Sequence, residues 1–250
     1  MSIPEENQRT DAVVEPGPAA SAPREPLFNI PSAVLLMIAL CVGVHLVRLY
    51  LLTEEQDIDL MVRAAFIPVR YSGEYLFDIY AVTSTVTYAF LHGGWSHLIV
   101  NMVWLAAFGS PLANRMGPWR FFAFWLVTAW GAVALHYALH TGSEIPLVGA
   151  SGAISGMMGA AARFGFQIDR RWGQGRFSGP PLTIAESLTS RTVIVFLVVW
   201  MAVNLISGMG YLTPEDMGAV AWEAHVGGFL VGFLFVGFFG EVRPRAVRMA

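Results

Sequence analysis

The sequence predicts an all-α protein, built as a bundle of helices that cross a membrane. Apolar residues make up 55% of the 250 positions and charged residues only 13%, and the apolar residues cluster in long runs. A water-soluble domain carries about 25% charged residues, so a globule of this composition has too little polar surface to stay in water. We therefore expect the lipid bilayer to be the surroundings of most of the chain.

Six apolar segments fit membrane spans: roughly 32–52, 84–108, 119–140, 151–167, 191–210 and 221–240. A spanning helix needs about 20 apolar residues. The fourth segment is shorter and would reach only about 25 Å at ~1.5 Å per residue. A helix too short to span must begin below the membrane surface, behind backbone that protein or water shields. We therefore predict that Ser151, at its start, lies at depth.

The predicted domain organisation is a six-helix membrane domain over residues 28–242, between two polar tails. Residues 1–27 contain five prolines and no apolar periodicity, so they cannot bury enough surface to offset the entropy cost of ordering. We predict a disordered tail there and a short basic tail over 243–250. The start of the chain lacks the basic and apolar regions of a signal peptide, and we expect the first span to act as an uncleaved anchor.

The arginines predict the orientation of the bundle. Twelve lie in the two tails and in the connections after the second and fourth spans, whereas the other side has three arginines beside nine acidic residues. Because positive residues mark the cytoplasmic side, we expect both termini in the cytoplasm and Ser151 toward the outer leaflet. The net charge of −3 argues against nucleic acid as a partner, which requires a concentrated basic patch.

Two connections on the outer side are predicted to be more than simple turns. The first, about 53–83, is long and contains many apolar residues, and loops of that length usually have structure or function of their own. We expect it to lie partly in the membrane interface. The segment 207–214 joins glycines to apolar side chains; it is either a cap over the site below it or an ordinary connecting loop.

The second predicted span contains polar side chains that are costly in a membrane. His97 and Asn101 are four residues apart and therefore share one helix face. Such residues tend to mark functional sites, although hydrogen bonding between helices explains them as well. His92 is predicted one turn higher, where shaping the adjoining loop is the simpler role.

The fourth and sixth spans carry matching stripes of small residues. The stripes consist of Gly152, Gly156 and Ala160 in the fourth span, and of Ala224, Gly228 and Gly232 in the sixth. Small residues at this spacing let two helices approach closely. Ser151 precedes the first stripe and His225 follows the first member of the second, so close packing would bring a hydroxyl and an imidazole together.

This pair suits nucleophilic catalysis. A serine hydroxyl is a weak nucleophile until a base removes its proton, and neutral histidine, with an unperturbed pKa of about 6.5, can do so. No acidic residue lies within either motif, so we predict a dyad. Backbone N–H groups are free at a helix start, and the N–H of Ser151 can join His97 and Asn101 around an oxyanion, each donor contributing about 3–4 kcal/mol.

Together the motifs resemble those of the rhomboid intramembrane serine proteases of the six-helix bacterial type. The matching sequences are His92-x4-His97-x3-Asn101, Gly149-Ala150-Ser151-Gly152-x3-Gly156 and Ala224-His225-x2-Gly228-x3-Gly232, in the family's order. The resemblance covers roughly residues 30–240. It implies an endopeptidase of the bacterial inner membrane whose substrates are transmembrane proteins, cut in or next to their membrane segments.

The resemblance also implies the role of each residue. The dyad is Ser151 and His225; the oxyanion site is lined by His97, Asn101 and the backbone of Ser151; supporting positions are His92, Gly149, Gly152 and Gly228. The family often has an aromatic residue four positions after the serine, packed on the catalytic histidine. This chain has Ser155 there, which leaves open what holds the His225 ring.

Three other functions are weighed against the protease. A proteolytically inactive relative that binds transmembrane clients would normally lack the serine or the histidine. A channel or transporter predicts inverted repeats or interrupted half-helices, which the sequence does not display. A metalloprotease needs metal ligands, but Cys41 is the only cysteine, and the pair His136 and His140 has no HExxH motif and no third ligand nearby in sequence. We expect no metal and no other cofactor, and the sequence indicates no oligomeric state.

Overall fold

A computed structural model of the chain describes residues 30–170, 174–211 and 220–240. Within these ranges the protein has ten α-helices and a single pair of two-residue strands, β1 (Ile168–Asp169) and β2 (Arg176–Phe177). The predicted tails at 1–27 and 243–250 lie outside the described residues and stay predictions.

The helices are α1 (Ser32–Tyr50), α2 (Glu54–Ala64), α3 (Ile79–Thr87), α4 (Trp95–Trp104), α5 (Ser110–Met116), α6 (Pro118–Leu139), α7 (Ser151–Arg163), α8 (Ile184–Thr189), α9 (Arg191–Gly208) and α10 (Trp222–Phe235). Five stretches of the described chain are long and apolar enough to cross a membrane: Ser32–Tyr50, Trp95–Met116, Pro118–Leu139, Arg191–Gly208 and Trp222–Phe239. The remaining predicted span, 151–167, corresponds to α7, which has only 13 residues and ends at Arg163, four residues earlier than predicted. The all-α membrane bundle is confirmed, with five full-length spans and one short helix.

The second span begins later than the prediction of 84–108. Residues 84–87 end α3, a 3-10 turn follows at Tyr88–Phe90, residues 91–94 are not helical, and α4 begins at Trp95. Gly94 has extended backbone (φ −163°, ψ 178°), and glycine is a poor helix former because its backbone loses the most entropy on ordering. The placement of His92 on this helix is therefore wrong: His92 lies in the loop before it.

The same span also ends later than predicted. A π-helical turn, Leu105–Gly109, joins α4 to α5, and the stretch continues to Met116. Arg115, whose charge marks a span end in the sequence, is buried; its Nη1 donates to the carbonyl of Phe177 at 2.7 Å. The carbonyl of Phe177 in β2 thus accepts a hydrogen bond from an arginine that the sequence alone would predict to be exposed to water.

The long outer connection has structure of its own, as predicted. It contains α2, a 3-10 turn at Pro68–Tyr71 and α3. Phe66 and Leu147 exchange two backbone hydrogen bonds of 3.2 and 2.8 Å, and Val69 N–H donates to Ser143 at 2.9 Å. This connection is therefore fastened to the loop that leads into α7.

Helix α7 lies at the centre of the bundle, and every residue of 152–162 is buried. A helix that is buried all round is shielded by other helices on each side. On the α6 side, a Cβ at Gly152 would lie 2.5 Å from that of Ala132, and one at Gly156 would lie 2.5 Å from that of Thr128. The glycines thus permit the packing distance.

The two predicted stripes of small residues face one another. A Cβ on Gly228 would overlap the carbonyl oxygen of Gly152, and one on Gly232 would overlap that of Gly156. These contacts involve backbone atoms, which cannot move aside as a flexible side chain can. The predicted approach of the fourth and sixth spans is confirmed, and it requires glycine.

Gly228→Ala is expected to destabilise the bundle, because the added methyl group forces α7 and α10 apart. The expected loss is about 1–3 kcal/mol of unfolding free energy, the usual range for overpacking, measured as a lower unfolding temperature in detergent. Gly43→Ala in α1 is the matched control, since a Cβ there meets no atom within 4 Å. Equal unfolding temperatures for Gly228→Ala and the parent would contradict the tight contact.

Candidate active site

Ser151 is the first residue of α7 and is half-buried. The loop before it is held by Tyr88, whose carbonyl accepts from Gly149 N–H at 3.0 Å and whose hydroxyl donates to the Ala129 carbonyl at 2.9 Å. Gly149 has φ +117°, a conformation that side chains with a Cβ rarely adopt. The turn into α7 therefore depends on a glycine at this position.

His97 and Ser151 both approach the Cβ position of Gly149. A Cβ on Gly149 would be 2.7 Å from His97 Nε2 and 3.6 Å from Ser151 Oγ. The other ring nitrogen of His97, Nδ1, accepts a 3.4 Å hydrogen bond from Gly93 N–H. In the neutral ring this leaves the proton on Nε2, so His97 can present a donor beside Ser151.

Asn101 is buried one turn further along α4. Its Nδ2 donates to the His97 carbonyl at 2.8 Å within the same helix. A side-chain amide has two N–H donors, so one is still available. Among the described residues no hydrogen bond joins Asn101 to Ser151.

His225 is half-buried in the first turn of α10, next to the point where α10 meets α7. The carbonyl oxygen of Ala224 lies 3.6 Å from the Cβ position of Gly152. Ser151 directly precedes Gly152 and His225 directly follows Ala224, so both lie next to this contact between the helices. Within the described part of the chain no hydrogen bond joins the Ser151 hydroxyl to the His225 ring. Catalytic hydrogen bonds often tighten only when substrate binds.

Asn204, in α9, holds the His225 ring. Its Oδ1 lies 2.5 Å from His225 Nδ1, and its Nδ2 donates to the Trp200 carbonyl at 2.7 Å. Since a carbonyl cannot donate, the Trp200 bond fixes Nδ2 on one side and leaves Oδ1, an acceptor, facing His225. His225 Nδ1 is therefore the donor and Nε2 carries the lone pair of the neutral ring, as a general base requires.

Sequence reasoning missed Asn204, although a signal was present. It is an asparagine within the apolar span Arg191–Gly208 and is buried. An isolated polar residue in a membrane span is costly and commonly has a functional partner. Its partner is not visible in the sequence because the two residues lie 21 positions apart on different helices.

His92 is buried and supports His97 from the preceding loop. The two rings pack edge to face with centroids 5.1 Å apart. The His92 carbonyl accepts a 2.8 Å hydrogen bond from Arg48, which also binds both carboxylate oxygens of Asp57 at 2.6 and 3.0 Å. This arginine ties α1, α2 and the loop before α4 together.

The acidic residue nearest His225 in sequence, Glu223, points to other partners. Its Oε1 lies 2.8 Å from His136 Nδ1 and 3.1 Å from His140 Nε2. Sequence analysis paired the two histidines but missed this carboxylate, which comes from a distant helix. Among the described residues no acidic group hydrogen-bonds His225.

The predicted cap is described only in part. Ser207 and Gly208 are the last residues of α9, and a Cβ on Gly208 would lie 2.6 Å from the indole of Trp222. The end of α9 thus packs against the start of α10. Residues 212–214 lie outside the described residues, so the cap stays a prediction.

Comparison with known proteins decides the family. The family model of the Rhomboid domain matches residues 81–241, which contain all three motifs. The chain belongs to the rhomboid family. Among its curated relatives, RHOMBOID-like protein 5 and RHOMBOID-like protein 4 of Arabidopsis thaliana are 32% and 36% identical over 155 and 154 residues.

Rhomboid protease GlpG of Serratia proteamaculans is 28% identical over 161 residues, which cover 64% of this chain and 49% of that protein. The two plant alignments each cover 62% of this chain, and 43% and 33% of the respective relatives. This rhomboid chain thus spans between a third and a half of the length of these relatives.

The neutral His225 ring is expected to carry its proton on Nδ1, and Asn204→Ala should remove that preference because it deletes the acceptor. The ¹⁵N shifts of labelled histidine rings measure the tautomer, with His225→Ala to assign the signal. Asn101→Ala is the matched control, since Asn101 makes the same bond to a carbonyl four residues back but is not bonded to His225. An Nε2-protonated His225 in the parent would contradict the arrangement.

Proposed function

We propose that this rhomboid-family chain is an intramembrane serine endopeptidase that cleaves peptide bonds in or next to transmembrane segments of other membrane proteins. The observation that carries the proposal is the bond from His225 Nδ1 to Asn204, which leaves Nε2 as a base where α10 meets the start of α7. Ser151, the proposed nucleophile, is the first residue of α7. The name of the related Rhomboid protease GlpG supports the same reaction.

In the proposed reaction, Ser151 Oγ attacks the carbonyl carbon of the scissile bond while His225 Nε2 takes its proton. The negative charge that develops on the carbonyl oxygen is stabilised by donors already in place. These donors are His97 Nε2–H, the Ser151 backbone N–H and the second N–H of Asn101. His225 then gives the proton to the leaving amine.

Water completes the cycle by hydrolysing the acyl-enzyme, with His225 again as the base. Asn204 keeps one tautomer throughout, and its neutral amide stabilises the imidazolium without taking the proton. In this mechanism the Asn204 hydrogen bond takes over the part that the family's aromatic residue plays, since Ser155 is too small to pack against the ring.

We further propose that the bundle lies in a bacterial inner membrane with both termini in the cytoplasm and Ser151 toward the outer leaflet. The arginine distribution supports this orientation. The proposed substrates are transmembrane proteins, whose segments enter a site that starts below the membrane surface.

Ser151→Ala and His225→Ala are each expected to reduce cleavage by at least about 10⁴-fold, because nucleophile and base act as one unit. The measurement is cleavage of a model transmembrane substrate by purified protein in liposomes, with a fluorophosphonate probe to label the active serine. Ser155→Ala is the matched control, on the same helix, and should keep both activities. Full cleavage by Ser151→Ala would reject the dyad.

An inactive client-binding protein is the alternative, and the same experiment separates it. That protein would bind transmembrane segments, and the parent chain would neither cleave them nor react with the probe. Labelling of the parent at Ser151, absent from Ser151→Ala, would exclude it.

His97→Ala and Asn101→Ala are expected to lower kcat by about 10²–10³ with nearly unchanged KM, because the donors act on charge that exists only in the transition state. If either residue only joins helices, its loss should instead lower the free energy of unfolding by about 1 kcal/mol per hydrogen bond, and with it the unfolding temperature. Kinetics and thermal unfolding of the same preparations measure both. A stability loss without a kcat defect would reject the oxyanion role for that residue.

A further inference from the structure

A second cluster of reactive side chains lies at the same end of the bundle as Ser151, between α6 and α10. It consists of His136, His140 and Glu223, whose ligand atoms all lie within 4.8 Å of one another. The proposed protease reaction uses none of the three. His136 and Glu223 are buried, whereas His140 is exposed.

The side chains converge on one point from two helices. His136 lies in the last turn of α6, His140 is the residue that directly follows this helix, and Glu223 faces both from α10. Glu223 Oε1 lies 2.8 Å from His136 Nδ1 and 3.1 Å from His140 Nε2. Ligands placed tetrahedrally at ~2.0–2.1 Å from a zinc ion are about 3.3 Å apart, close to these separations.

Glu223 places a buried negative charge in the cluster. Glu223 is 6% exposed, and its ionisable partners in the described structure are the two histidines. A buried carboxylate is costly unless it is paired or coordinates a metal. The balance comes either from a proton on a histidine or from a divalent cation. His136 Nε2 has no hydrogen-bond partner among the described residues, so nothing on that side of the ring fixes the tautomer.

We infer that His136, His140 and Glu223 form a binding site for a divalent transition metal, with Zn²⁺ as the fitting ion. Two imidazole nitrogens and one carboxylate oxygen are a ligand set that zinc accepts, with a fourth position left for water. The exposed His140 leaves a path for the ion to reach the cluster. The bound ion ties the end of α6 to the first turn of α10.

The site is separate from the proposed protease chemistry. Glu223 and His225 are two residues apart on α10, and at 3.6 residues per turn their side chains point about 200° apart. The ion would therefore fix the turn that carries His225 without touching the ring. The inference rests on the fold alone and stands or falls independently of proteolysis.

The test is zinc binding by the full-length protein, purified in detergent without a histidine tag and stripped with a chelator. Competition against a chromophoric chelator of known affinity should give one Zn²⁺ per chain. Glu223→Gln and His140→Ala should each weaken zinc binding by at least about 10- to 100-fold. That is the usual effect of losing a residue that only hydrogen-bonds a metal ligand, and these two residues are proposed to bind the ion directly. Zinc should also raise the unfolding temperature of the parent, because a ligand that binds only the folded state stabilises it.

Glu144→Gln is the matched control, the same chemical change at an exposed position in the connection between α6 and α7, and should bind zinc like the parent. His140→Ala guards against misfolding as an explanation, since it changes an exposed side chain. No stoichiometric zinc, or equal affinity in Glu223→Gln and the parent, would overturn the site and leave a hydrogen-bonded His–Glu cluster.

Discussion

The backbone contact between α7 and α10 is the constraint on which the rest of the structure depends. In a bilayer no hydrophobic force drives helices together, so association relies on close packing and hydrogen bonds. Gly152 with Gly228, and Gly156 with Gly232, bring the two backbones so close that a Cβ at Gly228 or Gly232 would overlap a carbonyl oxygen of α7. The contact fixes how the starts of the two helices lie relative to each other, and with it the relative positions of Ser151 and His225.

Around this contact, polar side chains are held by specific partners. Asn204 bonds both its own helix and His225, and Arg48 joins Asp57 to the backbone before α4. Hydrogen bonds matter here because an unpaired polar group buried away from water is costly. The hydrogen bonds of Asn204 join α9 to α10 and also select the tautomer of the His225 ring. The proposed base therefore depends on a residue that stabilises the fold.

The two sides of α10 have different roles in this arrangement. His225 turns toward Asn204 on α9, and Glu223 turns toward the histidines of α6. A single helical turn therefore carries both the proposed base and the proposed metal ligand. Movement of this turn relative to α6 would change the position of the proposed base, His225, and the geometry of the proposed metal site. The packing of α10 in the bundle is therefore coupled to both sites.

The sequence by itself determined the membrane class, the short fourth helix and the facing glycine stripes, because these follow from composition, length and spacing along one helix. It predicted the start of the second span incorrectly, since helical structure ends at Phe90 within an apolar run and resumes only after Gly93 and Gly94. Only the tertiary structure decided which residues meet across helices. Asn204 reaches His225, and Glu223 completes the His136 and His140 cluster, because side chains far apart in the chain project into one space, and no local pattern records that convergence.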